Sequence, residues 1–138
     1  MAVVEELLRT EEDGAISFGN YKLETKAKLE NYEHDGDLYK VKTYKELTKL
    51  EKNGMFAYES QPGTSVIDFK ETEDGVAFTV EADEDTQITV GLEEDTEYSV
   101  TVGDVNIGKM KTNLSGKLSI SVELERAGEI AVKIVKNG

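Results

Sequence analysis

The sequence predicts a mainly β protein, an antiparallel sandwich of two sheets preceded by a small β-rich segment. From residue 65 onward, apolar and polar residues alternate in seven short runs, and a turn signal separates each run from the next. The runs recur about every 10 residues, a spacing typical of all-β sandwiches. For this part of the chain we therefore predict an immunoglobulin-like arrangement of seven strands.

The predicted strands of this part cover residues 65–71, 75–82, 86–92, 96–102, 105–112, 117–124 and 129–136. The breaks between them are rich in Gly, Asp, Glu and Asn, the residues that turns favour. The only proline lies in Gln61-Pro62-Gly63 and marks the best internal boundary. We therefore divide the chain into a β-rich segment with an oligomer contact (residues 1–60) and a seven-stranded sandwich (residues 61–138).

The first segment shows a helical pattern and then a strand pattern. Apolar residues within 3–9 share one helical face, which predicts a short N-terminal helix: Val3, Val4, Leu7 and Leu8. Residues 21–30 alternate cleanly, as in a strand with one buried face. The pair Asp35-Gly36 predicts a tight hairpin, and residues 38–43 would form the returning strand.

Residues 43–54 fit two structures equally well. Thr43 and Glu46 form a capping box, and apolar residues follow at helical spacing, which favours a short helix. The pair Asn53-Gly54 followed by an apolar run favours a hairpin instead. At this stage both alternatives stay open.

The charge of the chain argues against several classes of partner. There are 29 acidic and 16 basic residues, which give a net charge of −13. Such a chain repels phosphate backbones and anionic headgroups, so we expect neither nucleic acid nor membrane as a partner. There are no cysteines, which excludes disulfides, thiolate metal sites and cysteine nucleophiles.

No targeting or membrane signal is evident in the sequence. No run approaches the roughly 18 apolar residues of a membrane-spanning helix. The first eight residues contain neither a basic leader nor a long apolar stretch. As written, the sequence predicts a cytoplasmic protein, unless a leader has been trimmed from it.

Signs of catalytic chemistry are few. The only histidine, His34, lies beside a predicted turn, and its acidic neighbours match no standard zinc spacing. No Walker loop, dinucleotide fingerprint or nucleophile elbow is present. Calcium is the one cofactor to consider, because acidic turns would gather at each end of the sandwich. One end would contain Glu73-Asp74, Glu93-Glu94-Asp95 and Asn113-Leu114-Ser115. The other end would contain Asp83-Glu84-Asp85, Asp104 and Glu125. The turns do not follow an EF-hand pattern, and we predict no bound metal.

The aromatic residues are the other candidates for a binding role. Five of the six tyrosines lie in the first 60 residues, and there is no tryptophan. Amphipathic packing in the core is one explanation. The alternative is a tyrosine-lined face for a glycan or a protein, formed by Tyr21, Tyr32, Tyr39 and Tyr58.

Two parts of the chain resemble known groups of proteins. The stretches 97–104 and 108–121, which combine Tyr-x-Val-x-Val with a Thr-Asn-x-x-Gly turn, resemble the last strands of C-terminal accessory β-sandwich modules of bacterial polysaccharide-active enzymes. The region from Gly36-Asp37-Leu38-Tyr39-Lys40-Val41-Lys42-Thr43 to Tyr58-Glu59-Ser60 is similar to short uncharacterised proteins of gut Firmicutes, some labelled endosialidase. That label would imply hydrolysis of sialic-acid polymers by an arginine cluster. The chain contains only Arg9 and Arg126, so no catalytic residue is carried over.

Three functional hypotheses follow, and the first is preferred. The chain is expected to be a non-catalytic interaction module or structural subunit that forms a homo-oligomer. The second hypothesis is a glycan-binding accessory module that uses the tyrosines. The third is a hydrolase related to endosialidases.

Overall fold

The chain forms two antiparallel β-sheets in a computed structural model that describes residues 3–137. Met1, Ala2 and Gly138, which belong to the ends of the two predicted segments, lie outside the described residues. In chain order the elements are β1 (Leu8–Thr10), β2 (Ile16–Phe18), β3 (Ala27–His34), β4 (Asp37–Tyr44), β5 (Leu47–Lys52), β6 (Met55–Gln61), β7 (Ser65–Thr72), β8 (Gly75–Glu81), β9 (Thr86–Gly91), β10 (Glu97–Val102), β11 (Val105–Lys111), β12 (Lys117–Val122), α1 (Leu124–Ala127) and β13 (Glu129–Lys136).

One sheet has seven strands and the other has six. The seven-stranded sheet has the order β1-β2-β7-β8-β13-β10-β11, and the six-stranded sheet has the order β12-β9-β6-β5-β4-β3. Along most strands a buried residue alternates with a more exposed one, as in β12 and β4. This alternation puts the apolar face of each sheet inward. Within residues 3–137, no helix has the length and apolarity needed to span a membrane.

The two segments on either side of Pro62 share both sheets and one core. Strand β2 pairs with β7, and β6 pairs with β9. The centre of the core is a group of edge-to-face rings, in which Phe18 lies 5.3 Å from Tyr58 and 5.5 Å from Phe69 between ring centroids. Phe78 completes the group at 5.7 Å from Tyr58. Such ring pairs add to the free energy of burial by about 0.5–1.5 kcal/mol each.

The seven strands predicted after Pro62 are confirmed as β7 to β13, with ends that differ by one or two residues. The main difference concerns the predicted strand 117–124, which ends at Val122. Leu124 is fully buried and begins the single-turn helix α1, which is followed by Gly128 with a positive φ of 77°. Glycine tolerates this conformation without the cost that a Cβ would add.

Residues 43–54 form strands and not a helix. Strand β4 continues to Tyr44, β5 runs antiparallel to it, and Asn53-Gly54 connects β5 to β6. Both residues of this turn have positive φ (53° and 78°), as do both residues of the Asp35-Gly36 turn. Positive φ at both central residues is the requirement of the two-residue hairpin turn that matches strand twist. The hairpin alternative for residues 43–54 and the hairpin predicted at Asp35-Gly36 are therefore both confirmed.

The predicted N-terminal helix is wrong. A turn from Val4 to Leu7, closed by a 3.0 Å hydrogen bond from the Leu7 N–H to the Val4 carbonyl, leads directly into β1. Leu7 has a φ of 72°, which no right-handed helix allows. Val4 and Leu8 are buried, so their apolar spacing reflects tertiary packing.

The strand predicted from Tyr21 begins later, at Ala27. The Asn20 side-chain oxygen accepts a 3.0 Å hydrogen bond from the Lys22 N–H and stabilises a turn there. Such short polar side chains compete with strand formation by bonding to nearby backbone groups. The alternation over residues 21–26 therefore does not produce a strand.

A buried network of hydroxyl groups holds the crossover between β6 and β7. Thr48 donates its hydroxyl proton to the Thr64 carbonyl at 2.8 Å and accepts the Thr64 N–H at 3.0 Å. Because its single proton is used, Thr48 must accept from the Thr43 hydroxyl at 2.8 Å. The Thr64 hydroxyl in turn lies within 2.9 Å of Ser60 and 2.8 Å of Tyr58. The polar groups of the buried crossover are thus paired inside the protein.

Replacing Thr48 by valine tests this network. The substitution keeps the shape of the side chain but leaves the N–H and carbonyl of Thr64 without this partner in the interior. We expect the free energy of unfolding to fall by about 1–3 kcal/mol in denaturant titrations. Thr89→Val is the control, since the Thr89 hydroxyl is exposed and water can replace its bond to Ser119. Equal stability of both variants would contradict the role of the network.

A second polar group fixes β1 and β2 against β7. The Glu11 carboxylate accepts hydrogen bonds from the Ser17 hydroxyl and from Nε of Arg9, the latter at 2.9 Å. Ser17 also accepts the Asp68 N–H at 3.0 Å. The hydrogen bond from Ser17, followed by the contact with Arg9, lowers the pKa of Glu11 below its usual 4.5. The ionised carboxylate is therefore favoured by the fold.

This shift predicts a pH dependence for the variant Glu11→Gln. A lowered folded-state pKa contributes stability that is present above the unfolded-state pKa and is lost as the pH falls through the folded-state value. We expect the wild type to exceed the variant in unfolding free energy near neutral pH, and the difference to shrink below about pH 4.5. Glu12→Gln, at an exposed neighbouring carboxylate, serves as the control. A difference that does not vary with pH would contradict the prediction.

Candidate interaction surfaces

The four tyrosines predicted to face a ligand do not form one surface. Tyr58 is fully buried, and Tyr39 and Tyr21 are almost so. Tyr32 is half-buried, and its hydroxyl lies 3.0 Å from that of Thr10. The flat faces of Tyr21, Tyr39 and Tyr58 are therefore not available for stacking on a sugar.

The raised pKa values of Tyr21 and Tyr58 result mainly from their burial in the core. Burial raises the pKa of Tyr58, and it raises the pKa of Tyr21 together with the nearby charges of Glu81 and Asp83. The Tyr21 hydroxyl donates to a Glu81 carboxylate oxygen at 3.1 Å, in a buried contact. Strongly shifted pKa values often mark active sites. Here they belong to packed rings inside the protein.

His34 connects two hairpins. Its Nε2 lies 3.0 Å from the Gly14 carbonyl, and its Nδ1 lies 3.1 Å from the Thr10 hydroxyl. A carbonyl only accepts, so Nε2 carries the proton in this arrangement. Both ring nitrogens are occupied by the β1–β2 hairpin, which gives His34 a structural role.

A polar depression of about 300 Å³ lies beside His34. Lys52 stands between two carboxylates there, at 3.6 Å from Asp37 and 3.3 Å from Glu71. A hydrogen bond from Asn53, and then the charge of Lys52, lowers the pKa of Asp37. The carboxylate of Asp37 is therefore held in the charged state by its partners.

The acidic turns gather at the two ends of the fold, as the alternation of strand direction predicts. At one end Asp95 donates its N–H to the Asn113 carbonyl at 3.1 Å, and Glu93 forms an ion pair with Lys136. At the other end Asp85 accepts the Glu125 N–H at 3.0 Å. Among residues 3–137, no group of three or more Asp, Glu, His or Cys side chains is placed to hold a metal ion.

A larger depression, about 380 Å³, lies at the end that contains Glu93. Tyr98 forms part of its wall, and the Tyr98 hydroxyl accepts the Glu93 N–H at 3.2 Å. The Lys117 ammonium lies 4.6 Å from the centre of the Phe56 ring. This cation–π contact covers one face of the Phe56 ring, which lines the depression.

One edge of the seven-stranded sheet exposes apolar side chains. Among the described strands β11 pairs only with β10, so its other side is free. Val105 and Ile107 on this strand are 62% and 47% exposed. The sequence shows that the strand begins with apolar residues, but the edge position depends on pairing with distant strands. For this reason Val105 and Ile107 are not among the site residues predicted from the sequence.

No protein-family model matches the chain, and no curated protein or solved structure is significantly similar to it.

Proposed function

We propose that this chain is a non-catalytic interaction module that forms a homodimer by pairing of β11 with β11 of a second copy. The free edge of β11, with two exposed apolar side chains, is the observation that carries the proposal. An edge strand presents unpaired N–H and C=O groups to any strand that approaches it. Antiparallel pairing of two identical edges is isologous, so the contact closes after two copies.

The two halves of β11 differ in a way that locates the contact. The half that contains Lys109 and Lys111 has the charged side chains that usually prevent edge pairing. The other half begins at the Gly103-Asp104 turn and contains Val105 and Ile107. Val105 lies opposite Val102 of β10, which is itself only partly buried. Ile107 is the extra residue of a β-bulge against β10, so the edge is irregular there. The apolar half has no charged strand residue, and this absence makes it the better surface for a second copy.

The other outer edge of this sheet is a poorer site. Strand β1 has only three residues and a central arginine, Arg9, which is held by Glu11 and Glu6. Short and charged edge strands are common means of preventing association. This contrast favours β11 as the contact.

The course of the strands also bears on the finer classification of the fold. Two antiparallel sheets over one core support the immunoglobulin-like proposal. In immunoglobulin domains, however, the last strand belongs to the sheet that does not contain the first two strands. In this chain β13 lies between β8 and β10, and β12 pairs with β9. The nested pairing of β8 with β13 and β9 with β12 favours a jelly-roll-like course for the C-terminal strands.

Light scattering coupled to size-exclusion chromatography tests the proposed dimer. We expect the wild type to elute with the mass of two chains and the variant V105K/I107K with the mass of one. Lysine on an edge strand opposes pairing through its charge and its hydration. Circular dichroism and thermal melting should show that the variant retains its fold.

The matched control is the variant M55K/L114K. Met55 and Leu114 are 71% and 79% exposed, neither is on the half of β11 that contains Val105 and Ile107, and the change in net charge is the same. We expect this variant to retain the dimer mass. A monomeric wild type, or loss of the dimer in the control alone, would refute the proposal.

A further inference from the structure

The outer face of β3, β4 and β5 is basic, although the chain has a net charge of −13. Val41 of β4 and Leu50 of β5 point into the core, so their neighbours along each strand point outward. The outward residues include five lysines on or next to these strands: Lys26, Lys28, Lys40, Lys42 and Lys49. Three glutamates, Glu30, Glu33 and Glu51, share this face.

Three of these lysines form a row across the strands. In the strand register, Lys28 of β3 is opposite Lys42 of β4, and Lys42 is opposite Lys49 of β5. Side chains directly opposite on one face have Cβ atoms about 5 Å apart, and like charges in these positions are destabilising. We call Lys28, Lys42 and Lys49 the lysine row.

The ion pairs on this face involve only one lysine of the row, Lys49, and one lysine outside it, Lys40. Glu30 forms an ion pair with Lys40 at 3.6 Å, and Glu51 forms one with Lys49 at 3.7 Å. Glu59 of β6 is opposite Lys49 and ends the row. Lys28 and Lys42 form no ion pair with any of residues 3–137. Two adjacent ammonium groups are therefore left for a ligand.

Protection of the sheet edge explains only part of this arrangement. Lys28 is on β3, the edge strand of the six-stranded sheet, where a lysine discourages unwanted pairing. Lys42 and Lys49 are on interior strands, which have no free edge to protect. The repulsion between the lysines of the row destabilises the isolated chain. An anionic surface bound to the row would offset this repulsion.

The chain itself contains a surface of the opposite charge. Strand β9 begins after Asp83-Glu84-Asp85, and the Asp85 carboxylate accepts the Glu125 N–H of α1 at 3.0 Å. We call the exposed carboxylates of this region the acidic end: Asp83, Glu84, Asp85, Glu123, Glu125 and Glu129. Arg126 is exposed within it, and Lys22 and Lys45 line a depression beside Asp83 and Glu84. None of the six forms an ion pair with residues 3–137.

We infer that the lysine row of one copy binds the acidic end of another copy. Complementary charge on the two surfaces argues for a second copy as the occupant. The contact joins two different surfaces, so it is heterologous and extends into a chain or closes into a ring. It uses none of the apolar residues of the β11 edge and adds a second, charge-dependent mode of association.

Ionic strength separates the two modes. The Debye length is about 30 Å at about 0.01 M salt and about 3 Å at about 1 M, so exposed charge pairs act only at low salt. By light scattering, we expect the mass of the wild type to increase when salt is lowered from about 1 M to about 0.01 M. The β11 dimer should persist at both. A mass that is independent of salt would overturn the inference and leave the β11 dimer untouched.

A pair of charge reversals tests the surfaces directly. The variant K28E/K42E should lose the increase in mass at low salt. The control K70E/K133E changes two exposed lysines of the seven-stranded sheet, alters the net charge equally, and should keep the increase. If the control also loses it, net repulsion is the explanation and the inference fails.

Mixing variants identifies the partner surface. E84K/E125K, which reverses two carboxylates of the acidic end, should also lose the increase in mass on its own. An equimolar mixture of E84K/E125K with K28E/K42E retains one intact surface of each kind, so the increase should return. A mixture that stays at the mass of the separate variants would overturn the acidic end as the occupant.

A single substitution separates binding from stability. Lys42→Glu puts a carboxylate between Lys28 and Lys49, so we expect a higher denaturation midpoint together with weaker association at low salt. Lys133→Glu, whose cross-strand neighbours Thr101 and Ala77 are uncharged, should change neither. If Lys42→Glu left association intact, the row would have no role in binding, and a lowered midpoint would contradict the repulsion along the row.

Discussion

The crossover from β6 to β7 is the constraint on which the two-sheet arrangement depends. A buried change of sheet brings backbone N–H and C=O groups into the interior, where water cannot satisfy them. Thr48 supplies the partners of the Thr64 N–H and carbonyl, and Gly63 allows the close approach. A Cβ on Gly63 would lie 2.0 Å from the Tyr44 carbonyl oxygen. The Gly63 N–H also donates to the Lys45 carbonyl at 3.0 Å. Both segments of the chain are joined through these contacts.

Local chemistry explains which strands could be predicted. The strands after Pro62 have clear alternation and turns rich in Gly, Asp and Asn, and these signals act within a few residues. The N-terminal prediction failed because Val4 and Leu8 have helical spacing but reach the core through a turn at Leu7. Strand β2 was not predicted, since three consecutive buried residues show no period. In both cases packing against distant parts of the chain decides the local structure.

The surfaces depend on information that one sequence does not contain. The tyrosines lie in amphipathic runs, but only the register of β4 and β6 shows that Tyr39 and Tyr58 face the core. The lysine row needs the pairing of three strands before its members become neighbours. The edge position of β11 likewise follows from the placement of β13 between β8 and β10. Long-range register, not composition, therefore defines each candidate surface.

The two proposed contacts differ in symmetry and in physical origin, and this difference governs how they combine. An isologous β11 dimer uses neither the lysine row nor the six carboxylates of the acidic end in its own contact, so each dimer still carries two surfaces of each sign. Heterologous contacts between dimers then produce branched or extended assemblies at low ionic strength, whereas high ionic strength returns them to dimers. The net charge of −13 opposes growth of these assemblies. Assembly beyond the dimer therefore depends on the local attraction between the two surfaces exceeding the overall repulsion between copies.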